Sequence, residues 1–569
     1  MRLGLEGANA LRIFPRRWMA GMRSKQISVL GPWLVVCLVV CLGPHRRASG
    51  AGLELSPVLG DHMVLQRDRP VRIWGHAPAG AEVRVEFAGR QAMARVDASG
   101  NWQAELPALP ASDQGRDLRV SSGDAEVVLR DVLVGEVWLL GGQSNMEMPL
   151  WWRTDGHQNA PETRLTLGVE HPWLRVMTVP QQSARQPQEW FPESTRDGDG
   201  VPTLRWFEAK SRDAAISGFS ALGYYMALEL HQATGVPIGM IDTSWGGTIA
   251  AAWNSREQLA AIPEAREFVA AKAAAADAWT EQGAREQWEK ELVEWEQQVA
   301  AAKQAGKNPP GKPALRPDPA SERGFPAGPF NAMIWPLRRL ALRGAFYYQG
   351  ENNYFDKLDP FAQTYPGVVT SWRAAFGDPE LPICLMQVCG WDNHDRVYWQ
   401  TKLPLLQEWQ HRAHRSLPRT GFVVTGDFPH TDIHPMVKRP IARRAVAWAR
   451  SELYGDRTAR WKTPVLESSR REGHRLLLKF KIEPGDGLQM NGGPSGFAIA
   501  GEDHKFLPAR AEVLGPDTVA VWHDLVAEPQ AARHVWSQRG VYRLYTLSGL
   551  PVGAFRTDDW PIPKEEVFE

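Results

Sequence analysis

Val132-Leu133-Val134-Gly135-Glu136-Val137-Trp138-Leu139-Leu140, followed at once by Gly141-Gly142-Gln143-Ser144-Asn145-Met146, is the stretch on which the fold turns. A run of β-branched and large apolar residues bounded by glycine reads as a buried strand. The Gly-Gly turn then presents a hydroxyl at the strand's carboxyl end, where open α/β sheets hold their ligands. Ser144 is therefore a candidate nucleophile. A serine after a strand is also a common helix N-cap, and the hexapeptide alone does not choose between the two.

Three later stretches repeat the arrangement. Ile238-Gly239-Met240-Ile241-Asp242 is a predicted strand that runs into Thr243-Ser244-Trp245-Gly246-Gly247-Thr248. Two glycines there let backbone N–H groups approach a ligand, as a forming oxyanion requires, although a simple tight turn needs the same residues. Arg343 to Tyr348 is another strand, followed by Gln349-Gly350-Glu351-Asn352-Asn353. Its amides can fix hydroxyls or supply an oxyanion donor, and a carboxylate among aromatics demands partners. The last strand, Gly421 to Val424, precedes Thr431-Asp432-Ile433-His434-Pro435. A histidine there can act as general base with a carboxylate orienting its ring, or the pair can be a plain surface feature. Serine, glycines, amides and histidine at four strand ends of one sheet point to a hydrolase site. Met146 stands where the Gly-x-Ser-x-Gly nucleophile elbow has its second glycine, which disfavours an ordinary α/β-hydrolase.

The 569 residues are 43% hydrophobic and 23% charged, enough for more than one core. Lys and Arg balance Asp and Glu at 65 each, but the first fifty residues hold 8 basic and 1 acidic, leaving 57 against 64 beyond them. That balance gives no reason to expect nucleic acid as a partner. The basic segment to Lys25, the apolar run Ile27 to Leu42 and the small residues Ala48-Ser49-Gly50-Ala51 read as a secretory signal peptide over 1–50. Removal of this leader leaves no stable membrane partner, and the sixteen-residue run is short for a span. Export to a periplasm or the exterior follows.

Residues 51–131 alternate in short segments, as in Val71-Arg72-Ile73-Trp74 and Ala81 to Phe87, which predicts a small antiparallel sandwich. From 132 to 455 strands alternate with helices such as Gly218 to Thr234, which predicts an α/β sheet. An Ala/Glu/Lys/Gln-rich insertion over about 256–325 carries the stripe Trp288, Leu292, Trp295, Val299 of amphipathic helices, broken at Asn308-Pro309-Pro310-Gly311. Residues 456–569 return to short β segments, including Arg475 to Phe480 and Thr518 to Trp522. Beyond the leader the cysteines are Cys384 and Cys389, five apart and so on opposite sides of a strand, read as buried thiols. No His/Cys cluster has zinc spacing, so neither a metal nor another cofactor is expected. The sequence specifies no oligomeric state.

In combination, Gly142 to Met146, Asp242 to Thr248 and Gln349-Gly350-Glu351 resemble the SGNH (GDSL-like) hydrolases, and among them the sialate O-acetylesterase family of carbohydrate esterases. Ser56 to Arg67 looks like that family's N-terminal β-domain opening and Phe555 to Trp560 like its closing segment, so the resemblance covers nearly all of the exported chain. It implies an SGNH-type doubly wound, mainly parallel sheet with helices on both faces, flanked by N- and C-terminal β-rich, sandwich-like domains. It further implies Ser144 as nucleophile and His434 as base. The backbone amides of Ser144 and Gly247, with Asn353 or Gln349 as side-chain donor, would form the oxyanion hole, and Gln143, Trp245, Glu351 and Asn352 would meet substrate. Asn352 stands where the family has Ser, which leaves open whether Asn352 or Asn353 points into the site. The acid commonly lies three residues before the histidine, here Thr431; Asp432 is the natural substitute and Asp427 the fallback. The implied reaction is hydrolysis of O-acetyl groups on carbohydrate through an acetyl-serine, 9-O-acetylated sialic acids foremost. Acetylated plant polysaccharide such as acetyl xylan is the alternative substrate, and a non-catalytic carbohydrate-binding relative the alternative class.

Overall fold

A single strand, β1 (Ala125–Gly142), ties the molecule together. In the computed structural model, which describes residues 52–151, 169–191, 203–210, 214–356, 359–391, 402–428, 433–493, 495–537 and 540–562, its first half pairs antiparallel with Ser112–Ser122 and parallel with Val64–Gln66. Its second half is the centre of a mostly parallel sheet. The position between 131 and 132 therefore lies inside one strand. The leader expected over 1–50 and the acid expected at Asp432 fall outside the described residues.

The other strands of this sheet are β2 (His171–Thr178), β3 (Phe207–Ala209), β4 (Ile238–Asp242), β5 (Gly344–Tyr348), β6 (Ile383–Met386) and β7 (Thr420–Val423). Their spatial order is β3-β2-β4-β1-β5-β6-β7, with all neighbours parallel except the edge strand β3. Consecutive residues face opposite sides, so Leu139, Ala345, Tyr347 and Leu385 enter one core while Trp138, Leu140, Phe346 and Met386 enter another. The two-sided burial explains why these strands read as unbroken apolar runs.

The helices named below are α1 (Ser144–Glu147), α2 (Ala221–Thr234), α3 (Arg266–Ala278), α4 (Glu281–Gln304), α5 (Glu351–Phe355), α6 (Phe361–Phe376), α7 (Lys402–Ser416) and α8 (Arg439–Tyr454). Leu222, Met226 and Leu230 of α2, with Ile441, Ala445 and Trp448 of α8, cover the Trp138 face. Tyr365, Val369 and Trp372 of α6, with Leu403 and Leu406 of α7, cover the Leu139 face. The helix predicted from Gly218 begins three residues later, because the Ser220 hydroxyl accepts the Gly223 N–H at 3.0 Å and caps it. It ends at Gly235, whose φ of +67° closes the last turn.

In the insertion, α4 buries no residue. Its tryptophan stripe is instead met by the proline-rich segment that returns along it. Trp288 Nε1 donates to Pro313 O at 3.0 Å and Trp295 Nε1 to Pro310 O at 2.9 Å. Each indole is thereby tied to the returning segment.

Short antiparallel strands make up both flanks. Glu54–Leu55, Val71–His76 and Asn101–Leu106 form a three-stranded sheet beside the Glu82–Phe87, Arg90–Arg95 and Ser112–Ser122 strands. At the other end two four-stranded sheets share a core built from Leu478, Phe480, Ile499, Val519 and Val521. The expected α/β class is the class observed. Among the described residues no helix is long and apolar enough to cross a membrane.

Candidate active site

The carboxyl end of β1 lies between β4 and β5, and its turn is set by how closely they approach. Gly142 pairs with Tyr348 and has φ of +117°; a Cβ there would fall 2.0 Å from Tyr348 O. Only glycine fits. Gln143 then takes the N-cap position of α1 without capping through its side chain, and Ser144 is the first helical residue. The N-cap reading of Ser144 is thus not what the chain adopts. Its Oγ lies 2.9 Å from His434 Nε2, with Gln143 Nε2 3.4 Å away. Residues 290 positions apart are in hydrogen-bond contact.

The histidine's loop is held from the serine's side. Asn145, fully buried, donates from Nδ2 to Ile433 O at 3.0 Å and to Glu351 Oε1, while its Oδ1 accepts from Lys438 Nζ at 2.8 Å. Burial pushes the Glu351 carboxyl above the usual range, against the opposing effects of the Asn145 hydrogen bond and the charges of His434 and Lys438. The second Glu351 oxygen is buried with no hydrogen-bond partner among the described residues.

Side chains from three places grip the glycine pair after β4. Gly246 N–H donates to Glu147 Oε2, and Glu147 Oε1 accepts from Gln181 Nε2 at 2.6 Å. Gly246 O accepts from Arg323 Nη1 at 3.0 Å, and Gly247 O from Asn352 Nδ2 at 2.8 Å. The Gly247 N–H is the remaining backbone group, and it has no acceptor among the described residues.

A cavity of about 380 Å³ opens over these groups, lined by Gln143, Ser144, Glu147, Gly247, Arg323, Glu351, Asn352 and His434, with Met148, Phe355 and Ile433 adding apolar wall. Of the two asparagines, Asn352 faces the cavity. Asn353 is buried, accepting from Ala250 N and donating to Asp359 Oδ2 at 2.6 Å. Gln349 is equally committed, donating to Gln143 Oε1 at 2.8 Å and Thr248 O at 2.7 Å. Neither Asn353 nor Gln349 lines the cavity, and Trp245 packs against the core instead. Asp427 is held by Arg444 through two 2.7 Å hydrogen bonds, which occupy both its carboxylate oxygens.

Glu147, Phe355 and Arg323 were not picked out from the sequence. Glu147 follows Ser144 by three, one helical turn, and that spacing was the available signal. Arg323 belongs to the end of the insertion and had none. One triplet of metal-ligating types converges among the described residues, His62, Asp131 and Glu208. Arg175 already ion-pairs with Asp131 at 2.8 Å and Glu208 at 3.3 Å, and none of the triplet lines the cavity.

A hydroxyl touching an imidazole, beside a backbone donor with no acceptor, is equipment for acyl transfer. The comparisons agree with that chemistry. No protein-family model matches the chain. It is 25% identical over 560 residues to the sialate O-acetylesterase of Rattus norvegicus, spanning 91% of this chain and 96% of that protein. The corresponding Homo sapiens protein is 25% identical over 482 residues, 79% of this chain and 81% of that one. A crystal structure of a carbohydrate acetylesterase from Xanthomonas citri superposes with a TM-score of 0.70 at 31% identity, covering 89% of this chain and all of that one. The protein is a carboxylic ester hydrolase. Within that class the chain belongs to the sialate O-acetylesterase family.

Proposed function

We propose that the protein is an exported serine esterase of SGNH type that removes O-acetyl groups from carbohydrate, with 9-O-acetylated sialic acids as its substrates. The observation that carries this reading is the 2.9 Å contact of His434 Nε2 with Ser144 Oγ beside the Gly247 N–H. His434 takes the hydroxyl proton as Ser144 Oγ attacks the acetyl carbonyl carbon. The carbonyl oxygen becomes an oxyanion held by the Ser144 and Gly247 N–H groups. Asn352, whose amide nitrogen retains a hydrogen beyond the one given to Gly247 O, replaces Asn353 and Gln349 as the side-chain donor in this scheme. Collapse expels the sugar alkoxide, which receives the proton from His434. Water, deprotonated by the same ring, then attacks the acetyl-serine, releasing acetate and restoring Ser144.

Asp432 orients the ring in this scheme; the engagement of Asp427 with Arg444 favours that choice. The parallel sheet covered by helices on both faces supports the SGNH assignment, and the basic segment and apolar run before residue 50 support export.

The test is acetate release by the purified protein and by Ser144→Ala, on O-acetylated sialic acid, acetylated xylan and a small aryl acetate in parallel. Release that requires Ser144 and is fastest on the sialic acid is expected. Faster release from xylan reassigns the substrate, and no release from any of the three overturns the catalytic reading.

A further inference from the structure

The Gly246–Gly247 peptide is one planar unit whose carbonyl and N–H point in opposite directions. Its carbonyl end accepts from Arg323 Nη1 at 3.0 Å, and its N–H end is the donor with no acceptor in the cavity wall. The guanidinium does more than touch one atom. A Cβ on Gly247 would lie 2.9 Å from Arg323 Cζ and Nε and 3.0 Å from Nη1, so the group rests on the bare Cα that glycine alone provides at φ of +77°. The peptide before it is tethered too, through Gly246 N–H to Glu147.

We propose that Arg323 is a positioning residue for ester hydrolysis: its positive charge, bound to the Gly246 carbonyl, orients and polarises the peptide whose other end, the Gly247 N–H, stabilises the oxyanion. This rests on the function proposed above. A hydrogen bond to a carbonyl draws electron density from the same amide's nitrogen, so the N–H opposite becomes a better donor. Arg323 is exposed in the free protein, and a substrate filling the cavity removes water from around it. The charge therefore acts most strongly when the oxyanion forms. Arg323 also gives the insertion a role at the site, because it stands just beyond the proline-rich segment that returns along α4.

The experiment compares wild type, Arg323→Lys, Arg323→Gln and Ser144→Ala on a small neutral aryl acetate, with a phenylboronic acid as the probe for the tetrahedral anion. Hydrolysis by wild type and its loss in Ser144→Ala are read first, so a failure of the esterase reading is visible separately. For Arg323→Gln the expected result is a ten- to thirtyfold lower kcat with KM within threefold, and boronate inhibition weakened by the same factor. Arg323→Lys recovers at least a third of the lost kcat. Thermal melting verifies that each variant is folded, and Arg323→Lys serves as the decisive variant where Arg323→Gln is not. An unchanged kcat overturns the proposal, as does a lowered kcat with unchanged boronate affinity. So does a defect confined to KM on O-acetylated sialic acid, assayed in parallel with the aryl acetate, which would make Arg323 a substrate-carboxylate contact instead.

Discussion

The side-chain amide of Asn145 donates to the carbonyl oxygen of Ile433 at 3.0 Å, so the neighbour of Ser144 holds the neighbour of His434. The same amide group also meets Glu351 and Lys438. Asn145→Ala frees the histidine's loop and leaves a buried carboxyl and a buried ammonium without their shared partner. We expect kcat to fall by roughly 10- to 100-fold and stability by about 2–4 kcal/mol. Kinetics together with urea denaturation separate the two losses. Intact turnover in Asn145→Ala would show that the loop is held by other means.

Ser144 and His434 act on one proton, so their losses should not add. Either Ser144→Ala or His434→Ala alone is expected to lower kcat roughly 10⁴-fold or more, and the double variant should be no slower than the worse single one. A double variant slower by the product of both factors would mean that the two side chains work independently, and the proposed proton transfer between them would be wrong.

The two adjacent asparagines should fail differently. Asn352 reaches the cavity and Gly247 O, and Asn353 bonds with Ala250 N and Asp359. Asn352→Ala is expected to cost about 100-fold in kcat, the usual loss for an oxyanion donor, with little change in melting temperature. Asn353→Ala is expected to lose about 1–3 kcal/mol of stability by stranding buried polar groups. Thermal melts and kcat for the pair decide it, and the reverse pattern returns the oxyanion role to Asn353.

That distinction marks where sequence reading stopped. The strands were legible because burial on both faces writes continuous apolar runs, and the polar loops were legible because each follows such a run. Which asparagine faces the site depends on the phase of α5, where one residue is a turn of about 100°, and the motif does not encode that phase. Arg323 was invisible for another reason. It reaches Gly246 through the tertiary path of the insertion, and nothing local about an arginine after a proline-rich segment announces it. The sequence leaves Ser144 open between a cap and a nucleophile; the structure puts Gln143 in the capping position and Ser144 beside His434.

Phe355 is 61% exposed at the cavity wall, backed by Tyr354 at 5.1 Å and Trp391 at 6.1 Å between ring centroids. An exposed ring fixed from behind suits the apolar face of a sugar. Burying part of it contributes about 1 kcal/mol at ~25 cal/mol per Å². Phe355→Ala should therefore raise KM about fivefold on acetylated sugars and leave a small aryl acetate, which does not extend to the ring, within twofold. Equal effects on both substrates would argue against sugar contact.

Asp359 predicts a pH dependence of stability. Its carboxyl is buried and accepts from Ala251 N, Asn353 Nδ2 and Thr364 Oγ1. Burial dominates those hydrogen bonds and raises it from 3.8 to about 6. Because the folded chain holds this proton more tightly than the unfolded chain, the group penalises folding only once it must ionise. Its contribution is most favourable below about pH 4, declines through the window between 3.8 and about 6, and is constant above that. The decline amounts to about 2–3 kcal/mol. Asp359→Asn cannot ionise, so although its amide sits badly among three donors and lowers stability at every pH, it removes this decline. Urea midpoints of wild type and variant at pH 4.5, 6 and 7.5 should converge as pH rises. Parallel profiles would place the proton elsewhere.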